Sequence, residues 1–342
     1  MSNSSYPSNS SNSSNQQSNL DASDNTSDLL VALNVYIPVP LTLAGCVANV
    51  INIAVFCRMD RQQTINISLL AMAVSDLLRL LGTLWRCVCF LPVVVQSDNL
   101  TFEPLDMAMG IGDVIRFVFS RITACLTLLI SAERCLCILI PLKVKTLVTI
   151  GKIKTIVIAI YICTVASMSW IYYFNRFEWE YSTERNKTVL IFKPNEDDND
   201  IEMSLIVVNN VLMQYVISIG IGIFTAILVT KMRQQSKWRL SSSKQAASEA
   251  SARRDDKVAK TVTVISVTYL VCYFPNTVNM MCMYLVPGYT FFGRYSDLLV
   301  NISVAVYLFE IINSSVNIFF YWELSTQFRK EMKRLFGCAT TP

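Results

Sequence analysis

Residues 107–140 read MAMGIGDVIRFVFSRITACLTLLISAERCLCILI. A helix crosses the bilayer core with about 20 apolar residues, and this run exceeds that length. It shows no alternation of period 2, so it fits a helix and not a barrel strand. Further apolar stretches lie at 29–57, 65–95, 150–174, 203–230, 258–286 and 298–322, which makes seven spans. Backbone groups in hydrocarbon must be paired within their own segment. The expected fold is therefore an all-α membrane protein, a seven-transmembrane helix bundle. Composition agrees: of 342 residues, 53% are hydrophobic and 16% charged, against about 25% charged in soluble domains.

Residues 1–28 are mostly Ser and Asn, contain no Lys or Arg, and carry too few apolar side chains to offset the entropy of ordering. They are expected to be a disordered outer tail, glycosylated at the sequons of Asn3, Asn9, Asn12 and Asn25. They also lack the features of a cleavable signal, so the first span is expected to serve as the membrane signal. Connections after the odd-numbered spans hold nineteen Lys and Arg residues, and the opposite side holds five. The positive-inside rule then places the N-terminus outside, and the sequons at Asn99 and Asn186 fall in outer connections. The bundle is expected to occupy 29–322 and a cytoplasmic amphipathic helix and tail 323–342. There Phe328, Met332, Leu335 and Phe336 oppose Arg329, Lys330, Lys333 and Arg334, a pattern suited to lying on an anionic inner leaflet. Cys338 would sit at membrane level, a candidate for palmitoylation.

Histidine is absent, which removes imidazole general bases, Ser-His-Asp triads and His-bound metals. No paired carboxylates in register replace them, so no enzyme is expected. Ionisable residues inside spans are costly and mark function. The third span ends in Glu133-Arg134-Cys135. The sixth contains Tyr269-Leu270-Val271-Cys272-Tyr273-Phe274-Pro275, where the proline leaves a carbonyl unpaired and bends the helix. The seventh carries Asn313-Ser314-Ser315-Val316-Asn317-Ile318-Phe319-Phe320-Tyr321.

With Asn49 in the first span and Leu70-Ala71-Met72-Ala73-Val74-Ser75-Asp76 in the second, these residues make the chain from about 29 to 338 resemble a rhodopsin-like G-protein-coupled receptor. Glu133-Arg134-Cys135 is similar to that family's Asp/Glu-Arg-Tyr triplet. Tyr269 to Pro275 resembles Phe-x-x-Cys-Trp-x-Pro, and Asn317 to Tyr321 resembles Asn-Pro-x-x-Tyr with isoleucine for proline. Within the family the chain looks most like molluscan-type invertebrate chemosensory receptors, then like invertebrate neuropeptide receptors. It departs from the pattern at Met109, where the family has a disulfide cysteine, at Tyr161, where it has a tryptophan, and in the fifth span, which lacks a proline.

The resemblance implies a receptor that passes an extracellular signal to a heterotrimeric G protein, surrounded by membrane lipid and with no nucleic-acid partner. An ionic cluster of Glu133, Arg134 and Asp255 would join the inner ends of the third and sixth spans until activation opens a cleft. Tyr269, Tyr273, Pro275, Asn317 and Tyr321 would belong to the same switch. Asp76, Thr123, Asn313, Ser314 and Asn317 match the family's sodium pocket, although Arg79 lies one turn from Asp76 and could satisfy its carboxylate. In the outer half, Arg86, Asp113, Arg116, Asn276 and Glu310 form the candidate ligand site. Its guanidinium groups suit a small acidic or zwitterionic ligand, or else pair with the carboxylates beside them. A channel or secondary transporter is the alternative outside the receptor class, but no internal repeat is found between the halves.

Overall fold

The computed structural model describes residues 32–60, 63–183, 185–194, 201, 205, 207–241, 249–289 and 293–337. Asn3, Asn9, Asn12, Asn25 and Cys338 lie outside them. Among the described residues seven helical segments are long and apolar enough to cross a membrane. Their regular α-helical parts are α1 (Pro38–Arg58), α2 (Thr64–Cys89), α3 (Val114–Leu139), α4 (Ile150–Met168), α5 (Met213–Ser241), α6 (Glu249–Leu285) and α7 (Ser296–Ser315, continued by Asn317–Leu324). A short amphipathic helix, α8 (Thr326–Leu335), follows. Single π-helical turns at Ala32–Tyr36, Ala108–Asp113 and Val207–Leu212 lead into α1, α3 and α5.

The helix ends follow from local chemistry. Pro38 opens α1 at a position where no backbone donor is needed. Thr149 Oγ1 accepts from the Lys152 amide at the start of α4, and Ser325 Oγ from the Phe328 amide at the start of α8. The break in α7 at Val316 occurs without proline. Ser315 Oγ donates back to the Ile311 carbonyl at 2.8 Å, a bond that competes with the helix ladder and bends it.

α3 is the axis of the bundle and touches α2, α4, α5 and α6. α1 and α7 approach so closely that a Cβ on Gly45 would meet Ser315 Oγ at 2.2 Å. Asn49 Nδ2 spans the same seam, donating to the Gly45 and Ser314 carbonyls at 2.9 and 2.7 Å. Tyr161 stands where the resemblance expects tryptophan, and its hydroxyl donates to the Ala71 carbonyl at 2.8 Å, fastening α4 to α2. Val47, Val50, Ile158, Ile162, Val216, Ile219 and Phe274 are exposed. This apolar periphery is the surface that lipid would cover.

One element departs from an all-helical reading. The connection from α4 to α5 forms an antiparallel hairpin of β1 (Asn175–Ser182) and β2 (Lys187–Pro194). Lys193 lies between Glu180 at 3.0 Å and Glu178 at 3.6 Å, and its hydrogen bond to Glu180 followed by the charge of both carboxylates raises its pKa. All ten described cysteines are free, and Met109 stands where the resemblance expects a cysteine. The hairpin is instead strapped to the segment before α3. The Leu190 amide donates to the Thr101 carbonyl and the Glu103 amide to the Leu190 carbonyl, both at 2.9 Å. Arg185 pairs with Glu103 at 3.3 Å, and Lys187 donates to the Asp98 carbonyl. Phe177 and Phe192 pack 4.8 Å apart over Gly110, where a Cβ would clash with both. The Leu190 and Glu103 amides should accordingly resist hydrogen exchange. Leu190→Pro, which removes one donor and distorts the strand, should release the Glu103 amide to fast exchange, as mass spectrometry of peptides covering it would record.

Candidate functional site

The five proposed ligand residues come together between α2, α3, α6 and α7, and they are largely paired with one another. Glu310, buried on α7, is the hub. Its Oε2 receives Arg79 Nη2 at 2.8 Å and Arg116 Nη1 at 2.7 Å, and its Oε1 receives Asn276 Nδ2 at 2.9 Å. One carboxylate thus joins four helices. Arg79 also donates to the Glu310 carbonyl at 2.5 Å and to Ser314 Oγ at 2.6 Å. Nearer the hairpin, Asp113 lies 3.0 Å from Arg116 Nε and 3.4 Å from Arg86 Nε. The π-helical turn that ends at Asp113 precedes Arg116 by one ordinary helical turn, which sets this i,i+3 pair. Arg86 stacks on Phe90 and Tyr307, at 4.4 and 4.8 Å, and donates to Asn34 at 3.0 Å. Its Nη1 is buried without a partner among the described residues.

Below this layer Asp76 accepts from Thr123 at 3.0 Å, Ser314 at 3.1 Å and Asn317 at 2.9 Å. Asn313 is buried but makes no hydrogen bond to Asp76. Arg79 forms no direct ion pair with Asp76 either. It reaches the carboxylate through Ser314 and spends its fork on Glu310. A sodium ion here would share Ser314 Oγ with a fully buried guanidinium 2.6 Å away, where like charges in a poorly screened interior repel strongly. The residues present do not fit that ion. Among the described residues no other group of three or more Cys, Asp or Glu converges to hold a metal.

At the α8 end Arg134 Nη2 donates to Glu133 Oε1 at 2.8 Å, and Thr64 Oγ1 of α2 donates to the same oxygen. The expected third member, Asp255, lies on α6, but its side chain is outside the described residues. The described bond between α3 and α6 in this region is Ser131 Oγ to Ser266 Oγ, at 2.7 Å and shut from solvent. Tyr321 packs edge-on against Phe56 at 5.0 Å and against Phe328 at 5.3 Å, and these three rings tie α7, α1 and α8 together. The Tyr321 hydroxyl is buried without a hydrogen-bond partner among the described residues. It borders a cavity of about 760 Å³ that opens among α1, α2, α6 and α8, with Asp60, Asn66, Lys257, Thr261 and Lys330 in its wall.

Tyr269 and Tyr273 stack at 4.4 Å beneath Pro275. Gln214 of α5 donates to the first at 2.7 Å, and Ser120 of α3 bonds the second at 2.8 Å. The sequence reading missed Thr64, Ser131, Gln214 and Ser266, whose single hydroxyls and amide carry no pattern. It also passed over Arg121, a buried charge in the middle of α3 that the apolar run around it could have flagged.

Glu310→Gln would leave two buried guanidinium groups without their shared counter-charge. It should cost about 3–5 kcal/mol, the range for breaking a buried ion pair, and thermal unfolding of the purified protein would show the loss. Residues 36–339 match the family described as serpentine-type seven-transmembrane G-protein-coupled chemoreceptors, Srw. The chain is also 25% identical over 328 residues to a bombesin receptor of Bombina orientalis, an alignment spanning 92% of this chain and 79% of that receptor. Seven apolar helices and a match over most of the length agree: the chain belongs to the Srw family of G-protein-coupled chemoreceptors, a multi-pass membrane receptor and not an enzyme.

Proposed function

We propose that the chain is a plasma-membrane receptor of the rhodopsin-like type, N-terminus outside, that couples an extracellular acidic chemosensory molecule to a heterotrimeric G protein. The observation that carries this reading is the α8 end of α3. There Glu133 and Arg134 form an ion pair, Thr64 holds Glu133, and among the described side chains at this end a hydroxyl bond links α3 to α6. Outward movement of α6 needs that link to break, and Pro275 supplies the bend about which the helix swings. The freed surface then accepts a helix of the G protein. The charge bias of the connections supports the orientation. So do the exposed sequon residues Asn99 and Asn186 at the hairpin end.

For the ligand, the support is the excess of guanidinium over carboxylate in the bundle. Arg86, Asp113 and Arg116 form the rim of the site in this reading, and Asn276 and Glu310 its closed floor. A zwitterion finds less support than an acid, because Glu310 already takes three donors. A peptide ligand is the second reading, favoured by the similarity to the bombesin receptor. α8 would rest on the inner leaflet with Cys338 lipidated beside it.

A second-messenger screen of expressing cells against small organic acids, amino acids and peptides supplies the agonist. Arg134→Ala should then abolish agonist-driven nucleotide exchange while surface expression persists, and unchanged exchange would remove the coupling mechanism. Ser266→Ala should raise ligand-free exchange. A lost buried hydroxyl bond is worth about 1 kcal/mol, roughly a fivefold shift toward the open form, and exchange at or below the wild-type rate would refute the latch.

A further inference from the structure

Arg121 stands apart from the ion-pair network. It lies on α3 at 9% exposure. Its Nη1 is shut from solvent with no partner, and among the described residues its guanidinium makes no hydrogen bond and no ion pair. The other intramembrane arginines each have a carboxylate: Arg79 and Arg116 share Glu310, Arg86 and Arg116 share Asp113, and Arg134 has Glu133. Among the described residues the ionisable groups within electrostatic reach of Arg121 are Tyr269, Cys125 and Tyr273, which at neutral pH are ordinarily uncharged.

A guanidinium cannot escape by losing its proton, so a full positive charge stands in the interior. An uncompensated buried ion is strongly destabilising. Among the described residues the rings within its electrostatic reach, Tyr269 and Tyr273, are held by neutral partners. Gln214 reaches Tyr269 from α5, and Ser120 bonds Tyr273 across from α3. One turn further along α3, Ala124 packs with Ile217, Ile221 and Cys272 and with the same two tyrosines. The arrangement holds a fork of donors, two stacked aromatic rings and an amide, and among the described residues no anion.

We propose that Arg121 is the anion-receiving residue of a subsite between α3, α5 and α6, which takes a monoanion in contact with the Tyr269, Tyr273 and Gln214 cluster. The anion is either a carboxylate group of the extracellular ligand, which the fork can grip at two points, or a free halide. The assignment to a ligand rests on the receptor reading above. The charge imbalance does not, and it moves the anion site away from Arg79, Arg86 and Arg116, whose carboxylates are already in place.

The test uses the full chain in discs of neutral phosphatidylcholine, with ionic strength held constant by sulfate. Its readout is the thermal unfolding midpoint during titration with chloride, acetate or benzoate. A saturable rise is expected in the wild type and none in Arg121→Gln, whose midpoint without added anion should be no lower than the wild type's. A response to carboxylates alone identifies the ligand group, and a response to chloride identifies a halide site. No saturable response in the wild type, or the same response in Arg121→Gln, overturns the proposal. Should Arg121→Gln fail to fold, Arg121→Lys keeps the charge and loses the fork. A titration shifted tenfold or more then supports the site, and an unshifted one overturns it. Because unfolding and not nucleotide exchange is read, failure of the coupling mechanism and failure of this site are separable.

Discussion

A single carboxylate shared by two guanidinium groups and an amide governs this bundle. Glu310 draws Arg79 from α2, Arg116 from α3 and Asn276 from α6 onto α7, in a place where bulk water cannot screen or replace them. Such a hub is worth little as net stability, because desolvation of each ion offsets much of the attraction. Its effect is on arrangement. Four helices whose apolar faces would tolerate many rotations are held in one register, since a slip leaves at least one buried charge alone. Asp76 extends the same constraint downward through Ser314, Asn317 and Thr123.

This dependence explains what the amino-acid order revealed and what it concealed. Span number and the places of α1 to α7 were legible because hydrocarbon imposes a length and a polarity on every crossing segment. Tyr321, Asn49 and the Glu133–Arg134 pair were legible because they sit in patterns with fixed spacing. The partner choice of each charge was not. Arg79 lies one turn from Asp76 and 231 residues from Glu310, yet it pairs with Glu310, and only the packing of α2 against α7 decides that. The hairpin was hidden for a related reason: its strands carry Glu and Lys on exposed positions and read as a solvated connection, and their pairing rests on a contact with Thr101 and Glu103 far earlier in the chain.

The two ends of α3 are built on different principles. Toward the hairpin, charges neutralise one another through short contacts between several helices. Toward α8, the tie to α6 among the described side chains is a pair of neutral hydroxyls, while aromatic rings clamp α1, α7 and α8. Charge networks resist displacement because every member must find a new partner. Hydroxyl contacts exchange partners at small cost. Rigidity therefore concentrates where a ligand would be sensed, and compliance where a partner protein would be met.

The strap that holds the hairpin to the segment before α3 is noncovalent, which bears on where this protein can mature. Its cover is fastened by amide hydrogen bonds, the Arg185–Glu103 pair and ring packing, with every described thiol free. Neither an oxidising compartment nor a disulfide isomerase is needed to set this part of the fold, and thiol reductants leave the fastening intact. The fastening is also an equilibrium structure: it can open and reclose by local unfolding without any covalent bond being cut, so its strength responds to temperature and solvent and not to redox state.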